Sequence, residues 1–482
     1  MIETVFAVMV LACFAYLVVT NLGYAAFVCV SFVETMVRRH DRDSQNFQVL
    51  ARSRFTIPVS VVLPAYNEEQ VIVASVRSLL ALDYPEFEVI VVNDGSQDRT
   101  LDRIIEAFQL EQYDVPMRTT FPTEPIRATY RSRLVPHLVV VDKGNGSKAD
   151  ALNAGINVAR YRFVAGVDAD AVFARDALLV SMSRVVEDPE RILGVTSYMG
   201  IAQDPERVMA HPLGRRPVDV RPFLLYQHQD YVRSFVTNRN AFSRLGTMLC
   251  AIGAFQIWRR DVVEEVGGFS REFTCEDIEM THRVHERYRR EGRDYEIISL
   301  PYMVGTTEGP EDVRKLVSQR ERWHRVISET VWHYRGMWFR KRYGSVGMLG
   351  VPFTFAAEVL APVFEALTVV TLLGALAVGL FDARLLLLVA FAIAFVNAAL
   401  TACAMLLDDL FQRTHRKRDL VWMLVLAPLD FFLYRPVILW ARAEGMVRLI
   451  RGDKAWHKFE RNARTSMPSA VPDTLIPVAQ EP

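Results

Sequence analysis

Three short runs of this chain bring together residue types that sugar and phosphate chemistry would use. Asp168-Ala169-Asp170 ends an apolar stretch. Acids at i and i+2 on extended backbone point to the same side, so the two carboxylates can share a hard divalent cation, Mg2+ or Mn2+, through oxygen ligands. A diphosphate would supply further oxygens, and the metal would neutralise the charge growing on it as a leaving group. Thr274-Cys275-Glu276-Asp277-Ile278-Glu279 opens a helix with carboxylates. Such acids can serve as caps favoured by the helix dipole, or one of them can take the proton of an attacking hydroxyl; Asp277 is the residue assigned to that task. Gln319-Arg320-Glu321-Arg322-Trp323 sets two guanidinium forks beside an indole. The forks suit phosphate oxygens and the indole face suits a sugar ring. A sugar-phosphate donor and a carbohydrate acceptor are the implied ligands.

The elements that must hold these groups alternate in type. Val59 to Pro64 is a β-branched run followed by Tyr66-Asn67-Glu68-Glu69, then a helical pattern from Val71 to Leu82, then a strand Phe87 to Val92 ending in Asn93-Asp94-Gly95-Ser96. Strand, helix and strand in this order predict a βαβ unit with both faces covered, in which ligands bind beyond the C-terminal strand ends. A third strand, Leu138 to Val141, leads through Lys143-Gly144-Asn145-Gly146-Ser147-Lys148 into a helix Ala149 to Ala159, and a fourth, Arg162 to Val167, delivers Asp168. The glycines let backbone amides approach an anion at a helix start, where Lys148 adds a point charge. No G-x-G-x-x-G follows the first strand and no Walker lysine loop occurs, which disfavours a dinucleotide fold and a nucleotide triphosphatase.

At 482 residues, with 56 basic and 56 acidic side chains, the chain has no global field that would attract nucleic acid. Its five cysteines have no metal or disulfide spacing. Apolar residues are segregated toward both ends, the pattern of a membrane protein with a soluble domain. Val5 to Phe32 is long enough to span a bilayer, and Arg38, Arg39, His40 and Arg42 after it place the middle domain in the cytoplasm by the positive-inside bias. Further apolar zones run from Val346 to Phe381, Leu385 to Leu407 and Leu420 to Trp440. Only the third of the four zones is uninterrupted. Glu358 in the second either faces other helices or sits at headgroup level, and the fourth, broken by Pro428 and Pro436, either spans or re-enters. Glu311 to Tyr343 mixes Trp323, Trp332, Trp338 and Phe339 with basic residues, as an interfacial helix does.

Taken in order, Val59 to Glu68, Val92 to Asp98, Lys143 to Asn153, Asp168 to Asp170, Gly253 to Asp277 and Gln319 to Trp323 resemble the membrane-embedded family 2 glycosyltransferases: the synthases of cellulose, hyaluronan, chitin oligosaccharide and poly-N-acetylglucosamine. Thr306 to Pro310 and Trp456 to Arg464 look most like the last branch. The resemblance implies an α/β fold: a GT-A-type cytoplasmic domain with a mixed, mainly parallel sheet, plus transmembrane and interfacial helices. It also implies roles. Tyr66 and Glu68 would lie near the base and ribose, Asp94 near the uracil and Lys148 near the nucleotide. Asp168 and Asp170 would bind diphosphate and metal, and Asp277 would be the base. Glu276, Gln319, Arg320, Arg322 and Trp323 would serve the acceptor and pyrophosphate. Cys275 stands where the family usually has threonine.

The expected layout is an anchor over residues 1–36, a catalytic domain over 50–310, the acceptor motif and interface helix over 311–345, a membrane region over 346–445 and a basic cytoplasmic tail with a disordered end over 446–482. The expected activity is an inverting, processive transfer from a UDP-sugar, N-acetylglucosamine being one candidate, to a growing β-linked polysaccharide. It would take place in the inner membrane, with the lipid bilayer and export or accessory proteins as partners. A single addition to a lipid carrier is the rival enzyme reading. A nucleotide-binding transporter or assembly scaffold is the rival from another class.

Overall fold

The computed structural model describes residues 2–44, 53, 55–201, 222–307, 309–377, 379, 382–412 and 415–452. The basic tail residues Lys454, Lys458, Arg461 and Arg464, and the Trp456 to Arg464 stretch, lie outside the described residues. The chain forms two compact units, one comprising Met1–Arg39, Pro217–Thr247 and Gly309–Phe459, the other His40–Arg216, Met248–Glu308 and Glu460–Pro482. Residues 222–247, within the range expected for the catalytic domain, thus pack with the first unit.

The second unit is built on a ten-stranded sheet in the order β3-β4-β5-β2-β1-β6-β9-β8-β10-β7. Its strands are β1 Val59–Ala65, β2 Phe87–Asp94, β3 Leu110–Gln112, β4 Ile126–Ser132, β5 Leu138–Lys143, β6 Phe163–Val167, β7 Val172–Phe173, β8 Ile192–Ile201, β9 Phe255–Arg259 and β10 Glu296–Thr307. The central strands β5, β2, β1 and β6 run parallel. The expected α/β fold with a mixed, mainly parallel sheet is what the structure has, this parallel centre being its core. β8 and β10 add one more parallel ladder, while the other five ladders are antiparallel. Central strands made of Val, Ile, Leu and Phe are buried on both faces, as parallel strands covered by helices must be. One cover is the helix Lys148–Val158, every residue of which from Ala149 on is buried. Gly155 lets it lie against Val62 of β1, whose side chain occupies the space a Cβ would take.

In the first unit, Thr4–Arg38 and Ala383–Gln412 are helices long and apolar enough to cross a membrane. Their outward faces carry Leu11, Phe14, Val19, Leu22, Leu388, Phe391 and Phe395, all exposed, an apolar surface that only lipid or another protein would cover. Val346–Val359 with Ala361–Ala377, and Lys417–Leu433 with Arg435–Ile450, are helix pairs bent by 42° and 46°. Both bends fall just before a proline, Pro362 or Pro436, in the first turn of the second helix. Proline has no N–H to give to the preceding turn and disfavours helical backbone in the residue before it. Each bent pair is, by length and composition, either a broken span or a re-entrant loop. Glu358 faces other helices: Arg442 lies 3.0 Å from its Oε2 and the Tyr24 hydroxyl donates to Oε1 at 3.4 Å.

Candidate active site

The parallel strands deliver their C-terminal ends side by side. Asp94 closes β2 in register with Lys143, which closes β5, and Asp168 follows the last residue of β6. Beneath this edge lies a buried ionic knot. The Lys143 ammonium sits 2.5 Å from Asp94 Oδ1 and 2.5 Å from Asp150 Oδ2, and the side chains of Lys143 and Asp150 are wholly inaccessible. Asp94 Oδ1 also accepts from the Gly146 amide at 3.0 Å, while Oδ2 accepts from the Ser147 amide at 3.0 Å and from Asn145 Nδ2 at 3.3 Å. A carboxylate offers about four acceptor positions, and these donors take them up. Asp94 therefore fastens the 144–147 loop to the end of β2.

That loop leads straight into Lys148, which stands at the centre of a second, half-exposed cluster. Its ammonium is 2.7 Å from Asp168 Oδ1 and 2.9 Å from Glu276 Oε1, and it donates to the Gly253 carbonyl at 3.2 Å. Burial alone would lower its pKa, but Asp168, Glu276 and Asp277 hold it well above the usual lysine range. Asp277 lies on the first turn of the Glu276–Arg290 helix. Its Oδ2 accepts from the Gly253 amide at 2.6 Å and its Oδ1 from the Ile278 amide at 2.7 Å. Burial, with the charge of Glu276 adding to it, pushes the Asp277 carboxyl up to about 6 against the pull of Lys148 and the two amides. A base that loses its proton near neutrality is suited to accept one from a hydroxyl. Thr281, fully buried, bridges this helix to the glycine loop: it donates to the Asp277 carbonyl at 2.8 Å and accepts from the Ala251 amide at 3.1 Å.

The loops after β1 and β2 are clasped together. The amides of Asn67, Glu68 and Glu69 donate to Ser96, Thr100 and Asp98 at 3.0, 2.8 and 3.2 Å, which leaves Tyr66 exposed and Glu68 half-buried at the strand ends. Asp168 and Asp170 are both half-buried on either side of buried Ala169. Among the described residues no three His, Cys, Asp or Glu side chains are grouped to hold a metal.

Gln319, Arg320, Arg322 and Trp323 belong to the helical unit, on the helix Val313–His333. This helix packs against Arg435–Ile450 so closely that a Cβ on Gly445 would be 2.6 Å from the Glu321 carbonyl. The Arg320 guanidinium is 3.1 Å from Asp230, donates to the Tyr434 hydroxyl at 3.1 Å and lies 4.5 Å over the Trp323 ring. Gln319 Oε1 is buried without a hydrogen-bond partner, and Arg322 is half-buried. The structure therefore joins Asp94, Lys148, Asp168, Glu276 and Asp277 through the loops 144–148 and 251–253, and Arg320 with Trp323 on a separate helix. Sequence reasoning missed Lys143 and Asp150, the Gly253 amide and Asp230. A lysine at the end of a β-branched strand and an acid in the first turn of the next helix were the available signals for the first two.

The sequence profile of glycosyl transferase family 2 matches residues 60–267, and that of glycosyl transferase family group 2 matches residues 167–407. A poly-beta-1,6-N-acetyl-D-glucosamine synthase of Staphylococcus epidermidis is 27% identical over 278 residues, 57% of this chain and 56% of that protein. One of Staphylococcus aureus is 27% identical over 267 residues, 55% of this chain and 53% of that protein. The chain spans about half the length of the curated relatives it matches. Among solved structures, the mannosyltransferase PcManGT from Pyrobaculum calidifontis, in complex with GDP-Man and Mn2+, has the same fold: TM-score 0.54 at 15% identity, over 90% of this chain and all of that one.

Proposed function

We propose, for a chain that belongs to the family 2 glycosyltransferases, that it transfers a sugar with inversion from a UDP-sugar to a growing β-linked polysaccharide at a membrane. The observation that carries this reading is the geometry that brings the acids together: Gly253 donates to Asp277 and accepts from Lys148, whose ammonium in turn contacts Asp168 and Glu276. Asp277 takes the proton of the acceptor hydroxyl as that oxygen attacks the anomeric carbon, and the bond from that carbon to the diphosphate breaks on the opposite side. Lys148 holds positive charge next to the leaving diphosphate. Asp168 and Asp170 would hold a divalent cation, Mg2+ or Mn2+, which when bound neutralises charge on the diphosphate. The solved mannosyltransferase of the same fold carries Mn2+.

Tyr66 and Glu68 are assigned to the nucleoside. Trp323, with Gln319 and Arg322, is assigned to the acceptor sugar and pyrophosphate. The synthases of Staphylococcus epidermidis and Staphylococcus aureus favour N-acetylglucosamine as the sugar. The two helices able to cross a bilayer and the two bent pairs support a multi-pass protein, with the sheet unit in the cytoplasm where nucleotide sugars are made. The test is to offer the purified full chain a panel of UDP-sugars with Mg2+ or Mn2+, then size the product and digest it with linkage-specific hydrolases. A polymer from UDP-N-acetylglucosamine supports the proposal. A product one sugar long on a lipid carrier replaces it with single addition, and absence of UDP release with every donor replaces it with a binding or scaffold role.

A further inference from the structure

The helical unit contains an acid that no family motif points to, set where it governs the arginine motif. Asp230 lies in the last turn of the helix Pro222–Val232, between two guanidinium groups. Its Oδ2 is 3.1 Å from Arg320 Nη1, and its Oδ1 is 4.0 Å from Arg435 Nη2. Arg435 is held in turn by Asp430 at 3.0 Å. Arg320 is largely buried, its other terminal nitrogen donates to Tyr434, and its flat face covers the Trp323 indole at 4.5 Å. Next to Asp230, Tyr231 packs its ring 6.1 Å from that of Trp323. Burial acts to raise the Asp230 carboxyl, but Arg320, Arg435, Arg233 and Arg442 overcome it and hold the acid below its ordinary range, so it stays an anion.

This geometry gives Arg320 partners inside the helical unit. Each terminal nitrogen of the fork has one partner within the protein, and the group is stacked on an indole, an arrangement that orients both partners. We infer that Asp230 is a positioning residue: it holds Arg320 against Trp323, so that the indole keeps one fixed orientation for the acceptor sugar. The inference rests on the proposed glycosyl transfer and gives the motif's first arginine a structural task.

Asp230→Asn keeps the shape and removes the charge, so Arg320 and Arg435 would face each other across a neutral group. The full chain in lipid nanodiscs should then show a KM for an oligosaccharide acceptor raised about tenfold or more, equivalent to about 1.4 kcal/mol or more of lost binding, and shorter products. Hydrolysis of the UDP-sugar by water, which needs no acceptor, should stay within about twofold of the wild type by the same arithmetic. Asp230→Glu should recover most of the acceptor KM. In a Trp323→Ala background Asp230→Asn should add nothing further, since both changes act through one indole. Should the Asn variant not fold, Tyr434→Phe, which removes one hydroxyl, carries the same test with a smaller rise in KM.

An unchanged acceptor KM, an equal loss of donor hydrolysis, or full additivity with Trp323→Ala would each overturn the assignment. Failure of the wild-type chain to transfer sugar to any acceptor would instead defeat the proposed function, so the two failures are read from different proteins.

Discussion

The backbone amide of Gly253 donates to the Asp277 carboxylate at 2.6 Å, and the same residue's carbonyl accepts from Lys148 at 3.2 Å. One peptide segment thus touches both the proposed base and the cation beside it, and it can do so because residue 253 has no side chain. A Cβ there would be 2.7 Å from Lys148 Nζ, 3.1 Å from Asp277 Oδ2 and 3.2 Å from Glu276 Oε1.

Gly253→Ala should therefore separate activity from stability. The atoms in the way are the ends of flexible side chains, so the fold can absorb the methyl and the unfolding temperature should change little. The reacting groups cannot move so freely, because displacements near 1 Å cost roughly 100-fold in rate. The variant should show kcat reduced on that order with near-normal binding of UDP, as measured by steady-state kinetics and calorimetry.

The raised Asp277 carboxyl fixes a pH signature. As the base must be ionised, kcat/KM should climb with pH through about 6, and Asp277→Asn should abolish transfer at every pH while leaving UDP binding nearly intact. Stability moves the other way. A carboxyl whose folded value lies above its unfolded value of roughly 4 costs nothing when both forms are protonated. It costs progressively more as pH rises through the window from the unfolded value to about 6. Asp277→Asn removes that cost, so its unfolding temperature should exceed the wild type's at pH 7 and match it near pH 4. A wild-type acid limb that survives unchanged in a still-active Asn variant would reject Asp277 as base.

Much of this site can be read in the sequence because it is written in contiguous runs. The β-branched stretch Val59–Pro64 and the run Phe87–Val92 became the two central strands, extended by one and two residues to Ala65 and Asp94. The acids at their ends followed from strand topology. The outer ladders were harder: β10 carries Glu296 at one end, Pro301 within it and register shifts beside β8, so neither alternation nor a continuous apolar run marks it. The buried knot was harder still, since a Lys143 that pairs with Asp94 and Asp150 looks, in one dimension, like any polar residue at a strand end. Its partners are 49 and 7 positions away and meet only once β2 and β5 are in register. Asp230 is 90 positions from Arg320 and sits in no motif, so only the packing of the helical unit reveals it.

The knot predicts an unusual lysine. Lys143→Met would leave Asp94 and Asp150 buried with Arg271, 3.2 Å from Asp150, as the remaining cation in contact among the described residues. Removing one member of a buried ion pair typically costs about 3 to 5 kcal/mol, so the sheet unit should unfold at clearly lower temperature. Asp94→Asn is the informative companion. It keeps the shape but cannot accept from all four donors, so the 144–147 loop should loosen, with faster amide exchange at Gly146 and Ser147 and weaker nucleotide binding. If Asp94 contacted only a nucleobase, exchange in the ligand-free protein would not change.

Lys148 also decides how a divalent cation should behave. Its ammonium already lies 2.7 Å from Asp168, so in the absence of a donor a metal would have to compete with it for that carboxylate, with only Asp170 added. Diphosphate changes the balance by offering oxygens to the metal and a new partner to Lys148. Mn2+ or Mg2+ alone should thus raise the unfolding temperature little, UDP alone slightly more, and the two together by far more than their sum. Ligand at about 100 times its dissociation constant adds about 2.7 kcal/mol of stability. Asp170→Asn should erase the synergy while leaving the small effect of UDP alone, because it removes a proposed metal ligand and leaves the Lys148–Asp168 contact in place. Lys148→Met should do the reverse, strengthening the response to metal alone by freeing Asp168 and weakening the response to UDP. Equal responses of the two variants in a thermal-shift titration would show that the ammonium and the metal do not share Asp168.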